Sequence, residues 1–109
     1  MLTVVETRAF IRTTALFWTD DQRAALVQWI AANPTAGDVI VGSGGLRKVR
    51  WALPGSGKSG GARVITYALL EDGEVWLLVG YSKGKFDNLP TKFLVELRKE
   101  IDDVKKRRR

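Results

Sequence analysis

The chain has 109 residues, 45% of them hydrophobic and 28% charged, and a net charge of +6 at neutral pH. That length supports one domain with one modest core, and no stretch is apolar for long enough to span a membrane or to act as a leader. The absence of cysteine and histidine excludes disulfides and thiolate metal sites and removes the usual general base and the usual imidazole ligand. A cysteine-free basic chain of this kind is expected in a reducing, cytoplasmic setting, without cofactor or metal.

Leu2 to Glu6 reads as a first strand, with β-branched Val4 and Val5. From Thr7 the apolar residues change period: Phe10, Thr14, Phe17 and Trp18 share one face of a helix. A second helix opens at Thr19, where Thr19 and Gln22 fit a capping box and Asp20 and Asp21 suit the positive end of the dipole. Its stripe is Leu26, Trp29 and Ile30, and Asn33-Pro34 stops it. The two helices read as an antiparallel pair joined by a short turn.

After Gly37-Asp38 comes Val39-Ile40-Val41, then three strand candidates. In Leu46 to Leu53, alternation sets Val49, Trp51 and Leu53 on one face and Lys48 and Arg50 on the other. Arg63 to Leu70 and Val75 to Lys83 flank an Asp72-Gly73 hairpin signal. Arg63, Ile65 and Tyr67 are expected to share a face, as are Val75, Leu77, Val79, Tyr81 and Lys83. A final helix from about Pro90 carries Leu94, Leu97, Ile101 and Val104 at helical spacing. The order β-α-α-β-β-β-α predicts a single α+β domain over residues 1–109, its two N-terminal helices and C-terminal helix packed around one side of a small, mainly antiparallel sheet.

The charge is concentrated. Residues 1–38 sum to −1, residues 39–70 to +5 and residues 71–109 to +2. The middle stretch has no acid and holds seven of the eleven glycines. An uncompensated positive field beside flexible backbone suits a phosphate polymer. Gly55-Ser56-Gly57-Lys58-Ser59 has the look of a nucleotide loop but lacks the required glycine, since Ala52 stands five residues before the Gly-Lys pair. It also joins two strands instead of opening a helix.

Lys48, Arg50, Arg63, Lys83 and Lys85 form the sharper set, at one end or face of the sheet. A single exposed Lys or Arg is ordinary; several together repel one another unless an anion compensates them. A histidine-free cationic cleft can break RNA by attack of the ribose 2′-oxygen on the adjacent phosphate. The reaction needs a base for the 2′-OH, charge stabilisation at phosphorus and a proton for the leaving 5′-oxygen. Arg suits the second task, and Lys or Tyr could perform the first with a pKa well below its ordinary value. Tyr81, Tyr67, Trp51 and Trp76 are candidates for base stacking or for the core. Lys105 to Arg109 suit either a solvated helix end or an RNA contact.

The run Asn33-Pro34, Gly37-Asp38, Ile40, Gly42-Ser43-Gly44-Gly45-Leu46-Arg47-Lys48 and Arg50, then Gly57-Lys58-Ser59-Gly60-Gly61-Ala62-Arg63-Val64-Ile65 and Tyr81-Ser82-Lys83, resembles the HigB-like branch of the RelE/ParE toxin superfamily. The resemblance spans nearly the whole chain. It implies a microbial-RNase-like α+β fold and the toxin of a type II toxin–antitoxin pair, a metal-independent endoribonuclease that enters the ribosomal A site and cuts mRNA. It also implies a neutralising antitoxin, often with a helix-turn-helix domain. Carried over by position, Lys48 and Arg50 correspond to basic residues beside the scissile phosphate and Arg63 to the arginine stabilising the transition state. Tyr81 and Lys83 correspond to late-strand RNA contacts, with Arg47, Lys58 and Lys85 as further RNA-binding cations. The chain departs from RelE-type relatives in having no tyrosine after Tyr81. The alternative is a non-enzymatic basic protein that binds RNA or the ribosome, or a ParE-like gyrase inhibitor.

Overall fold

A computed structural model describes residues 2–52, 61–82 and 89–108 of the chain. Five strands, β1 (Thr3–Glu6), β2 (Asp38–Val39), β3 (Arg47–Ala52), β4 (Gly61–Leu69) and β5 (Glu74–Ser82), form one open sheet in the order β1-β5-β4-β3-β2. The pairs from β2 to β5 are antiparallel, and β1 runs parallel to β5 with Thr3 opposite Glu74. With α1 (Arg8–Thr14), α2 (Asp20–Ala32) and α3 (Thr91–Arg107) the fold is α+β.

The helices cover both faces of the sheet, not one. Phe10, Leu26 and Ile30 from α1 and α2 pack with Val49, Val64, Val75 and Leu77. Leu94, Leu97 and Ile101 from α3 pack with Ile65, Trp76, Leu78, Val79 and Tyr81. Val64 and Ile65 are adjacent on β4 and therefore point to opposite faces, each to its own cluster. The central strands are buried on both sides, so the sheet has two apolar layers to cover.

Both N-terminal helices are capped by a threonine, and for α2 this is the cap its sequence predicts. Thr19 Oγ1 accepts from Gln22 N at 3.2 Å while Gln22 Oε1 accepts from Thr19 N at 2.9 Å, the reciprocal pair of a capping box. Thr7 Oγ1 accepts from Phe10 N at 3.1 Å at the start of α1. The α2 stripe buries Leu26 and Ile30, whereas Trp29 is 40% exposed and lies against Trp51, ring centroids 5.4 Å apart. The hairpin signal forms a 3-10 turn over Leu70–Asp72 closed by Gly73 in left-handed conformation (φ 68°).

One irregularity changes which side chains meet. Ile65 pairs with Val79 but Thr66 pairs with Leu77, so Leu78 is an extra residue and β5 bulges there. Val75 and Leu77 consequently face α1 and α2, while Val79 and Tyr81 face α3. The expected common face for all of these breaks at the bulge. Beyond Leu77 the outer edge of β5 has left β1 behind, and threonines of α1 take its polar groups. Thr7 Oγ1 bonds to the carbonyls of Leu77 and Leu78 at 2.9 and 3.0 Å, and Gly80 N donates to Thr13 Oγ1 at 3.0 Å. A Cβ at Gly80 would lie 2.5 Å from Thr14 Cγ2, so only glycine permits this approach of helix to strand.

Candidate functional site: a cationic sheet face and its cleft

Residues opposite one another in register share a face. Arg50 is opposite Arg63, and Arg63 is opposite Tyr81, so the three stand in one row across β3, β4 and β5. Lys48 lies two residues along β3, opposite Ile65, on the same face. The face is the one that α3 covers further along. Lys48, Arg50, Arg63 and Tyr81 are thereby brought together, as the alternation predicts for β3 and as the bulge makes possible for β5.

Arg47 stands apart. It alternates with Lys48, so it projects toward the α1–α2 side, where Nη1 donates to the Gly37 carbonyl at 3.3 Å. Lys58, Lys83 and Lys85, and the glycine loop from Gly55 to Gly60, lie outside the described residues.

Among the described residues, no acid forms an ion pair with Lys48, Arg50 or Arg63. Arg63 Nη1 reaches only the neighbouring Ala62 carbonyl, at 3.4 Å, which leaves most of its fork free to donate. Asp38 lies opposite Lys48 in register; this acid falls one residue outside the acid-free stretch and came into view only through the pairing of β2. Two arginines facing each other across a ladder are mutually repulsive.

Beside this row lies a cleft of about 260 Å³, lined by Ile40, Val41, Lys48, Ile65, Tyr81, Leu89, Thr91 and Leu94. One wall precedes β3 and the other opens α3. Composition did not reveal this cleft, because its walls come from segments far apart in the chain. Tyr81 is only 6% exposed. Burial raises its phenol above the ordinary value of 10, outweighing the opposing pull of Arg63. The group is therefore protonated at neutral pH and able to donate a hydrogen bond. A tyrosine base would need a shift in the other direction.

The remaining aromatic candidates are engaged elsewhere. The Arg98 guanidinium covers Tyr67 at 4.3 Å, Arg108 covers Trp76 at 5.6 Å, and Trp51 meets Trp29. The Gly42–Gly45 turn is likewise a built structure. Buried Ser43 donates to the Ile40 carbonyl at 2.6 Å and accepts from Leu46 N at 3.0 Å, and Gly44 and Gly45 have φ of 79° and 101°. These glycines serve chain reversal.

At the far end of α3, Lys105 pairs with Glu71 at 3.1 Å and Arg108 with Glu74 at 2.8 Å. Of the basic C-terminal run, these two residues fasten the helix to the β4–β5 hairpin. The groove between them, about 310 Å³, is lined by Glu71 and Asp72 as well as by the cations, and such mixed charge disfavours phosphate. Among the described residues no cluster of carboxylates could hold a metal ion, and no helix is long and apolar enough to cross a membrane. No protein-family model matches the chain.

Proposed function

We propose that this protein is an endoribonuclease of metal-independent type, acting on mRNA at the ribosome as the toxin of a toxin–antitoxin pair. The observation that carries the reading is the row Arg50–Arg63–Tyr81 with Lys48 beside it: three cations and a phenol on one sheet face, with no acid in an ion pair with the three cations among the described residues. The resemblance of the glycine-basic runs to HigB-like toxins gives the ribosome and the antitoxin their place in the proposal.

On this reading the scissile phosphate sits over the row. The 2′-hydroxyl gives its proton to water, its oxygen attacks phosphorus, the bond to the 5′-oxygen breaks, and a cyclic phosphate and a free 5′-hydroxyl result. Arg63, with most of its fork free, meets the charge that builds on the equatorial oxygens. Arg50 and Lys48 hold the flanking phosphates. Tyr81, protonated at neutral pH, offers its proton to the leaving oxygen and regains one from solvent. Alignment of the 2′-oxygen is left to the ribosome, which holds the message.

The test is primer extension on translating ribosomes with the native chain and Arg63→Ala. Breaks within codons that vanish in a folded Arg63→Ala protein support the reading. Stalled but intact message points to a non-enzymatic binder, and DNA breaks point to a gyrase inhibitor. Full cleavage by folded Arg63→Ala would sink the mechanism.

A further inference from the structure

The two walls of the cleft are joined by one side chain that no part of the mechanism uses. Arg98 lies one helical turn beyond Leu94, which lines the α3 wall. Its Nε donates to the Gly44 carbonyl at 3.0 Å, its Nη1 meets Asp102 Oδ1 at 2.7 Å, and its guanidinium lies 4.3 Å above the Tyr67 ring. Gly44 closes the turn that follows Ile40 and Val41, which form the other wall. A Cβ at Gly44 would come within 3.0 Å of Arg98 Cγ, and one at Gly45 within 3.4 Å of Tyr67 Cε1, so the turn is pressed onto this arginine and this ring.

We infer that Arg98 is a positioning residue: it clamps α3 to the Gly42–Gly45 turn and so fixes the spacing of the cleft in which Lys48 and Tyr81 meet their ligand. Lysine could not replace it, because a single ammonium has no planar fork to serve the carbonyl, the carboxylate and the ring together. The exposed ion pair alone would contribute little. The contacts with the Gly44 carbonyl and the Tyr67 ring, with Asp102 of the same helix bracing the guanidinium between them, are what hold the gap. The inference rests on the RNA-cleavage reading only for the identity of the ligand.

Tyr81 supplies a readout that needs no RNA. Among the described residues, Arg63 from β4 acts on its phenol and Lys48 from β3 lines the same cleft, while the Arg98 guanidinium is turned over the Tyr67 ring. Removing Arg98 therefore reports on water entry, not on lost charge. The chain has two tyrosines, and Tyr67→Phe keeps a ring beneath the guanidinium while leaving Tyr81 as the one phenol to titrate. In that background, absorbance at alkaline pH is followed for Arg98, Arg98→Lys and Arg98→Ala. The expected result is a phenol pKa that falls toward the ordinary value in Arg98→Ala as the cleft opens, with Arg98→Lys between. Asp102→Asn, which removes one leg of the clamp without touching the apolar stripe, gives a smaller shift in the same direction and decides the matter should Arg98→Ala not fold. An unchanged phenol titration in the folded Arg98 variants, or in Asp102→Asn where they do not fold, overturns the clamp. That outcome leaves the cleavage test above unaffected, and a failed cleavage test leaves this one standing.

Discussion

At the scale of single residues, the chemistry of the site is set by who shares a face with whom. Arg50 and Arg63 are adjacent across the ladder without an acid between them, an arrangement that costs stability in the empty protein and is relieved by an anion. Replacing Arg50 with Gln is therefore expected to raise the urea midpoint modestly, by roughly 0.5 kcal/mol, while weakening RNA binding; an unaltered or lower midpoint would argue that the repulsion is already compensated. Tyr81 gives a pH prediction with a definite sign. Its folded pKa lies above the unfolded value of 10, so the native state retains a proton that the unfolded chain gives up. The stability from keeping the phenol neutral is fully present below pH 10 and is lost as pH rises beyond it. Tyr81→Phe should flatten that alkaline decline in thermal melts. Glu74 has the opposite sign. The Arg108 side chain holds its carboxyl below the ordinary 4.5, with Trp76 Nε1 assisting against the cost of burial, so its contribution is present above that value and disappears as pH falls through the lower folded one. Much of this residue-scale chemistry was legible in advance for Lys48, Arg50 and Arg63, because strand alternation is a strict period of two. Tyr81 was grouped on one face with Val75 and Leu77, which the bulge turns to the other side, and a bulge leaves no local mark on the sequence.

Among the elements, helix boundaries were readable where chemistry is local. Thr19 and Gln22 announced α2 by their spacing alone, and Thr19→Ala is expected to cost about 1 kcal/mol in chemical denaturation. The α3 stripe was equally plain, with Leu94, Leu97 and Ile101 buried as spaced. Their placement against a separate face was not plain, because an antiparallel pattern is compatible with one covered face or two and only the full apolarity of β4 and β5 decides. The docking of α1 on β5 depends on Gly80, whose missing Cβ admits Thr14. Gly80→Ala is expected to destabilise by about 1–3 kcal/mol through overpacking, read as a lower urea midpoint; it should also disturb Tyr81 next to it. A neutral outcome would mean that α1 can lift off without consequence. The turn role of the glycines before β3 was not legible, because composition cannot tell a glycine that turns the chain from one that exposes backbone to a ligand.

For the molecule as a whole, the decisive property is the segregation of charge between two faces of one thin sheet. Lys48 and Arg47 are neighbours in sequence but project to opposite sides, so they are expected to differ in RNA binding. Each cation that neutralises a phosphate of single-stranded RNA contributes about −0.7 to the slope of log affinity against log salt. Lys48→Ala should flatten that slope by about one such increment, and Arg47→Ala should leave it unaltered; fluorescence anisotropy of a labelled oligoribonucleotide across salt concentrations separates them. Equal effects would mean that the binding surface wraps the edge of the sheet.

The parallel pairing of β1 with β5 has a temporal meaning as well. The strand made first has as its only ladder partner, among the described residues, one that begins at Glu74, and that late strand also bears Tyr81. During synthesis β1 must wait, unpaired, until β5 has emerged, because a contact so distant in sequence cannot form sooner. Completion of the sheet and assembly of the cleft are thus a single event, which cannot precede the making of β5.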